Sequence, residues 1–162
     1  SEPKKMTGGV LLECPSGCGA TALAYETARY VTSIDPSIKF INVSCTSLVH
    51  KEVGGSEKAL HQLFVAVRQA APCILLLESI ETIAAVRGHD NTTEGTMDRV
   101  LSTLLVELDG VESQGGSMAP FAVIGTTHNR NWVDPALQRP GRLGAVLSLG
   151  LPDTSTRKAI IH

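Results

Sequence analysis

The stretch from Gly9 to Leu23 (Gly-Val-Leu-Leu-Glu-Cys-Pro-Ser-Gly-Cys-Gly-Ala-Thr-Ala-Leu) constrains this chain more than any other. Apolar Val10 to Leu12 reads as a buried strand, Cys14 to Gly19 as a glycine-containing loop, and a helix opens at about Ala20. That is the layout of a phosphate-binding loop, G-x-x-x-x-G-K-[ST]. In such a loop backbone N–H groups and a helix N-terminus face the phosphates, the lysine reaches the β/γ oxygens, and the hydroxyl holds magnesium. Gly17, Gly19 and Thr21 keep the pattern, while Cys14 stands for the first glycine and Ala20 for the lysine. A cradle of Pro15, Ser16, Gly17, Cys18, Gly19, Ala20, Thr21 and Ala22 is therefore expected to persist without its cation. A tight turn with no ligand is the alternative left open by the loop alone.

The remaining composition narrows the class. At 162 residues, 43% hydrophobic and 19% charged, the chain reads as one folded domain with a sizeable core. A net charge of -2 gives no electrostatic reason to expect nucleic acid or an anionic membrane as partner. No stretch approaches the ~20 apolar residues of a membrane span, so no direct membrane insertion is expected. Four cysteines without secretory features suggest a reducing, intracellular setting. Cys14 and Cys18 flank the loop either as a redox pair or as two small buried side chains. The five histidines show no zinc spacing with the cysteines.

Strands and helices alternate along the sequence. Ala20 to Val31 reads as a helix, Asp35-Pro36 as a turn, and Phe40 to Val43 as a short strand. After the irregular Ser44 to Gly55, Ser56 is the expected N-cap of a helix running to about Ala70, with Leu60, Leu63, Phe64 and Val67 on one face. Pro72 breaks it, and the uninterrupted apolar run Cys73 to Leu77 suits a central strand covered on both sides. Gly88 to Gly95 reads as a polar loop. Met97, Val100, Leu101, Leu104, Leu105 and Leu108 recur at helical spacing, with Asp109-Gly110 as the stop. Phe121 to Thr126 and Val146 to Leu149 complete five strands. The pattern predicts a doubly wound, mostly parallel α/β sheet with helices on both faces.

Four segments are expected at the carboxyl ends of the strands, where open α/β sheets bind ligands. The loop is the first. The second is Glu78-Ser79, after a buried strand, where nucleotide hydrolases hold magnesium and activate water. Glu78 keeps a carboxylate that could join Thr21 in holding the metal, or it is a solvated strand end. Ser79 cannot serve as general base. The third is Thr127-His128, with His128 placed to bond a γ-phosphate or a water, or to cap the strand. The fourth is Asp134-Pro-Ala-Leu-Gln-Arg139-Pro-Gly-Arg142, where two arginines sit in a rigid setting suited to phosphoryl-group stabilisation.

With these residues assembled, the chain resembles the large α/β subdomain of an AAA+ ATPase of the valosin-containing-protein and peroxisomal-biogenesis type. The resemblance covers Gly9 to about His162, with Ser1 to Gly8 read as a trimmed end or linker. It is carried by Gly-Val-Leu-Leu before the loop, Val53-Gly-Gly-Ser-Glu-Lys58, Leu105-Val-Glu-Leu-Asp-Gly110, the arginine segment through Leu143, and Gly150-Leu-Pro-Asp153. Arg87 to Thr92, followed by Asp98-Arg99-Val100, is similar to the second ATPase domain of the peroxisomal import complex.

The resemblance implies ATP or ADP with magnesium as cofactor. It implies a hexameric ring of AAA+ subunits as setting, and protein substrates or adaptors as partners. The location it implies is the cytoplasm, with peripheral attachment to the peroxisomal membrane from the subfamily likeness. It also marks the departures. Ala20 replaces the Walker A lysine, Glu78-Ser79 the Walker B Asp-Glu pair, and His128 the sensor-1 asparagine. In Lys51-Glu52-Val53-Gly54, glutamate stands where an aromatic normally grips polypeptide. Arg139 and Arg142, by resemblance trans-acting arginine fingers, are kept, unless they are retained because they pack the segment leading to strand five. The helical lid that follows this part in the family is absent from the fragment, which alone is expected to bind nucleotide weakly and to be monomeric. The expected function is that of a pseudo-ATPase within a protein-remodelling machine. The alternatives are a slow but genuine Mg-ATPase, and an interaction module with an empty loop.

Overall fold

A computed structural model describes residues 8–86, 94–113 and 121–161. Five parallel strands, β1 (Val10–Glu13), β2 (Lys39–Ser44), β3 (Cys73–Glu78), β4 (Phe121–Thr127) and β5 (Ala145–Ser148), lie in the order β2-β3-β4-β1-β5. Four helices connect or follow them: α1 (Ala20–Ile34), α2 (Gly55–Ala70), α3 (Glu94–Ser113) and α4 (Thr154–Ile161). Every pairing is parallel, so the sheet is wholly rather than mostly so. This is the α/β fold of P-loop NTPases.

The sheet is covered on both faces, and the sequence explains which helix covers which. β3 is buried along Cys73 to Leu77, as a centrally placed apolar run must be. Its alternating side chains split between two cores: Leu75 and Leu77 join Leu60, Phe64, Val67, Leu101 and Leu104 from α2 and α3, while Leu76 joins Leu12 and Ala24 on the α1 side. Small Ala24 and Ala28 let α1 approach closely.

β1 lies between β4 and β5, and its chain leaves toward β2 across β4 and β3, whereas the chain after β4 crosses to β5 on the other side. Crossovers diverging in this way open a crevice at the carboxyl ends of the strands. The start of β1 packs tightly: the Gly9 N–H donates to the Arg142 carbonyl, and any side chain there would collide with the Val123 carbonyl and Leu143.

Several boundaries differ from expectation, α1 running on to Ile34 and α2 and α3 differing more tellingly. α2 starts at Gly55 with left-handed Gly54 as cap; Ser56 lies inside it, buried, and accepts a hydrogen bond from the His50 N–H at 2.8 Å. α3 runs through Asp109-Gly110 to Ser113, and the Asp109 carboxylate is paired with an arginine far along the chain. Its N-terminus takes in Glu94 and Gly95, while the rest of the expected polar loop, the Arg87 to Thr92 block and most of Ser1 to Gly8 lie outside the described residues. No helix among the described residues is long and apolar enough to cross a membrane.

Candidate functional site

The carboxyl ends of β1, β3 and β4 enclose a cleft of about 330 Å³ lined by Cys14, Pro15, Gly17, Gly19, Ala20, Thr21, Glu78, Ser79, Thr126, Thr127 and His128. Segments far apart in sequence thus meet at one place. Of the expected cradle, Ser16, Cys18 and Ala22 are not among the lining residues, and Ala22 is exposed on α1.

The loop is built by glycine. Gly17 and Gly19 have φ of 79° and 95°, a region costly for other residues, and Gly19 caps α1 from there. No side chain caps α1, so its first-turn N–H groups open toward the crevice with the positive end of the helix dipole. The Cys18 N–H closes a turn onto the Pro15 carbonyl at 3.1 Å. Cys14 is buried, and desolvation pushes its thiol above the usual range.

Thr21 and Glu78 come together across the cleft: the hydroxyl donates to Glu78 Oε2 at 3.1 Å. A hydroxyl and a carboxylate on adjoining walls are the hard oxygen ligands magnesium takes, so these two residues fit that ion. A triphosphate fits less well, because among the described residues no lysine or arginine lines the cleft.

Ser79 adopts left-handed backbone at φ 56°, and its N–H donates to Thr126 Oγ1 at 3.2 Å. The position where a general base is expected is therefore fixed to β4, but it carries a hydroxyl. Glu81 does not line the cleft; its Oε2 is buried and accepts no hydrogen bond among the described residues. Beneath it Cys45 is fully buried, its thiol pushed up to about 12 by desolvation and then by the charges of Glu81 and Glu78. His128 Nδ1 lies 3.3 Å from the Cys14 carbonyl oxygen, tying the end of β4 to the loop when that nitrogen carries the proton.

Two linking residues escaped the sequence reading. Glu13 accepts from the Arg130 N–H at 3.0 Å and from Ser148 Oγ at 2.7 Å, joining β1, β5 and the turn after β4. The Ser148 bond foremost, then the Arg130 N–H, holds its carboxyl below the usual range. Thr126 supports Ser79. Both are unremarkable polar residues at strand ends, and no local signal distinguishes them.

The arginines stand outside the cleft and differ from one another. Arg139 is exposed and makes no side-chain hydrogen bond or ion pair among the described residues. Arg142 is paired at both ends of its fork, Nε to Asp109 Oδ1 at 2.7 Å and Nη2 to Asp109 Oδ2 at 2.8 Å, while Nη1 donates to the Ala136 carbonyl at 2.8 Å.

The glycine loop opening a helix after β1, the acidic end of β3 and the polar end of β4 around one crevice decide the family. The chain belongs to the AAA family of ATPases. Residues 10–151 match the family described as ATPase family associated with various cellular activities. The chain is 39% identical over 160 residues to the human peroxisomal ATPase PEX1, covering 99% of this chain and 12% of that protein. Against the peroxisomal ATPase PEX6 of Saccharomyces cerevisiae it is 35% identical over 154 residues, 95% of this chain and 14% of the relative. Against the ATPase family gene 2 protein of Schizosaccharomyces pombe it is 39% identical over 153 residues, 94% and 17% respectively. The chain thus spans a small fraction of each relative. Membership of the AAA family implies nucleotide binding, usually with magnesium.

Proposed function

We propose that this chain is a hydrolysis-deficient AAA domain, a pseudo-ATPase that binds ATP weakly or not at all. The observation that supports the reading is the lining of the cleft: the backbone cradle, Thr21 and Glu78 are assembled, yet no lysine or arginine among the described residues lines it and a serine, Ser79, follows Glu78. Losing one charge-assisted contact to phosphate costs on the order of 1.5–3 kcal/mol, roughly tenfold to a hundredfold in affinity. Losing a positioned base costs about 10²- to 10⁴-fold in rate. The domain works within a hexameric ring of AAA subunits that remodels proteins, and the turn bearing Arg139 and Arg142 serves the neighbour's nucleotide. The likeness to peroxisomal ATPases supports a place on the cytosolic side of the peroxisomal membrane.

A second reading, a slow Mg-ATPase, is favoured by one observation, the meeting of Thr21 and Glu78. Titration with a fluorescent ATP analogue, with and without magnesium, followed by single-turnover hydrolysis, separates the two. Hydrolysis by the purified chain that disappears in Glu78→Gln would replace the first reading with the second. No turnover, with binding absent or weaker than millimolar, is the expected result.

A further inference from the structure

We propose that the two arginines of the 139–142 turn do different work: Arg142 is a strut fixing the turn to α3 through Asp109, and Arg139 alone is the cation presented outward. The proposal rests on the reading that this turn faces a neighbouring subunit.

The turn is fixed from several directions, and Arg142 is where they converge. The Arg142 N–H donates to the Arg139 carbonyl at 3.1 Å, and the Leu143 N–H donates to the Leu137 carbonyl at 2.9 Å. The Arg142 carbonyl accepts from Gly9, anchoring the turn to β1. Gly141 takes φ of 90°, and a side chain at Gly144 would meet the Arg139 carbonyl at 2.8 Å, so the chain reverses with no slack. Leu143 is fully buried beside it.

The Arg142 side chain completes the clamp. Its planar fork meets both oxygens of Asp109, and the remaining nitrogen takes the Ala136 carbonyl. Bidentate pairing of this kind is fixed in geometry as well as charge. The Arg142 side chain is 18% exposed, against 53% for Asp109, so the arginine is the sheltered partner. Its bond with Asp109 holds the Asp109 carboxyl below the usual range and raises the guanidinium further above its own. To reach outward, Arg142 would have to leave three acceptors. Arg139 would leave none.

α3 is suited to hold such a strut because it is itself anchored. Two residues earlier, buried Glu107 accepts from Arg68 of α2 and lies 2.7 Å from His61 Nδ1. The helix therefore carries α2 on one side and the turn on the other.

The test uses the isolated chain with variants Arg139→Ala, Arg142→Ala, Arg142→Lys, Asp109→Asn and the double variant Arg142→Ala/Asp109→Asn. Urea unfolding midpoints and the rate of phenylglyoxal modification at each arginine are read in parallel. Arg139→Ala is expected to leave the midpoint unchanged, whereas Arg142→Ala and Asp109→Asn lower it and the double variant lowers it no further than the worse single one. Arg142→Lys recovers part of the loss. The gap between wild type and Arg142→Ala narrows as pH falls through the depressed Asp109 titration. In the folded wild type, phenylglyoxal is expected to modify Arg139 several times faster than Arg142, and Asp109→Asn to raise the Arg142 rate. Additive or null effects on the midpoint would overturn the proposal, as would equal reactivity of the two arginines. Should Arg142→Ala not fold, the reactivity comparison in wild type and Asp109→Asn decides alone. None of these readouts needs nucleotide or a neighbour, so they stand or fall separately from the pseudo-ATPase reading.

Discussion

The crevice at the ends of β1, β3 and β4 and the arginine turn outside it are built in opposite ways. In the crevice Gly17, Gly19 and the uncapped start of α1 form a backbone cradle, while the side chains of Ala20 and Ser79 carry neither cation nor carboxylate. In the turn both guanidinium groups are present, Arg142 bonded to Asp109 and Arg139 exposed, the division of labour proposed above. The difference teaches that a fold can preserve the geometry of a site for its own stability. β1, the loop and α1 are continuous with the core, so the cradle persists whether or not a ligand ever occupies it.

The largest effect that would break this comparison lies with Arg139. In the full-length protein assembled with its ring partners, Arg139→Ala is expected to lower the neighbouring subunit's turnover by about 10³-fold or more, the usual worth of a trans-acting arginine. This domain's own nucleotide binding should not change. Steady-state ATPase assays on the assembled complex check it, and an undiminished rate would leave the turn a purely structural element.

The next effect comes from rebuilding the crevice. Ala20→Lys should raise ATP affinity roughly tenfold to a hundredfold, because the cradle already waits for the missing charge. Adding Ser79→Glu should yield hydrolysis, with the base contributing about 10²- to 10⁴-fold. A glutamate at 79 must accept φ of 56°, a strain of about 1 kcal/mol or more, and must keep the N–H bond to Thr126. Calorimetric titration and single-turnover hydrolysis read the two steps. Failure of Ala20→Lys to improve binding would mean that the cradle itself is misshapen.

Much of this was legible in the sequence, for identifiable reasons. β3 declared itself through an apolar run no exposed strand could carry, and α3 through leucines at helical spacing. The cleft residues could be named because a glycine loop and two strand ends each carry local patterns. What could not be read depends on partners distant in sequence. Asp109-Gly110 looks like a helix stop, yet the helix continues and the Asp109 carboxylate pairs with Arg142, 33 positions away. Ser56 looks like a cap, but its hydroxyl serves the His50 N–H from within the helix. Glu13 is one strand-end carboxylate among several until Ser148 and Arg130 converge on it.

Two of the ion pairs of α3 sharpen the comparison further. Glu107 is buried between Arg68 and His61, so Glu107→Ala strands a sheltered guanidinium and should cost about 3 kcal/mol or more. Asp109 is half exposed, and solvent screening limits Asp109→Ala to about 1 kcal/mol. Urea denaturation of both variants tests the order. A larger loss at Asp109 would mean that the turn contributes more to folding than its exposure allows.

The smallest expected effect is at the end of the described chain, where Asp153 receives the Thr156 N–H and the Ser155 hydroxyl, each at 2.7 Å, at the start of α4. The Thr156 bond foremost lowers its carboxyl to about 2. A carboxylate depressed by folding stabilises above its unfolded value, near 3.8, and that contribution is lost as pH falls toward 2. α4 is exposed along its whole length, so no core holds it once this cap is protonated. Helicity measured by circular dichroism should therefore fall slightly between pH 4 and 2 in the wild type, before the sheet unfolds, and Asp153→Asn should remove that early step. If Asp153→Asn leaves the acid titration unchanged, α4 is held by something other than its cap, and the turn and crevice lie closer to the edge of the folded unit than the strand order implies.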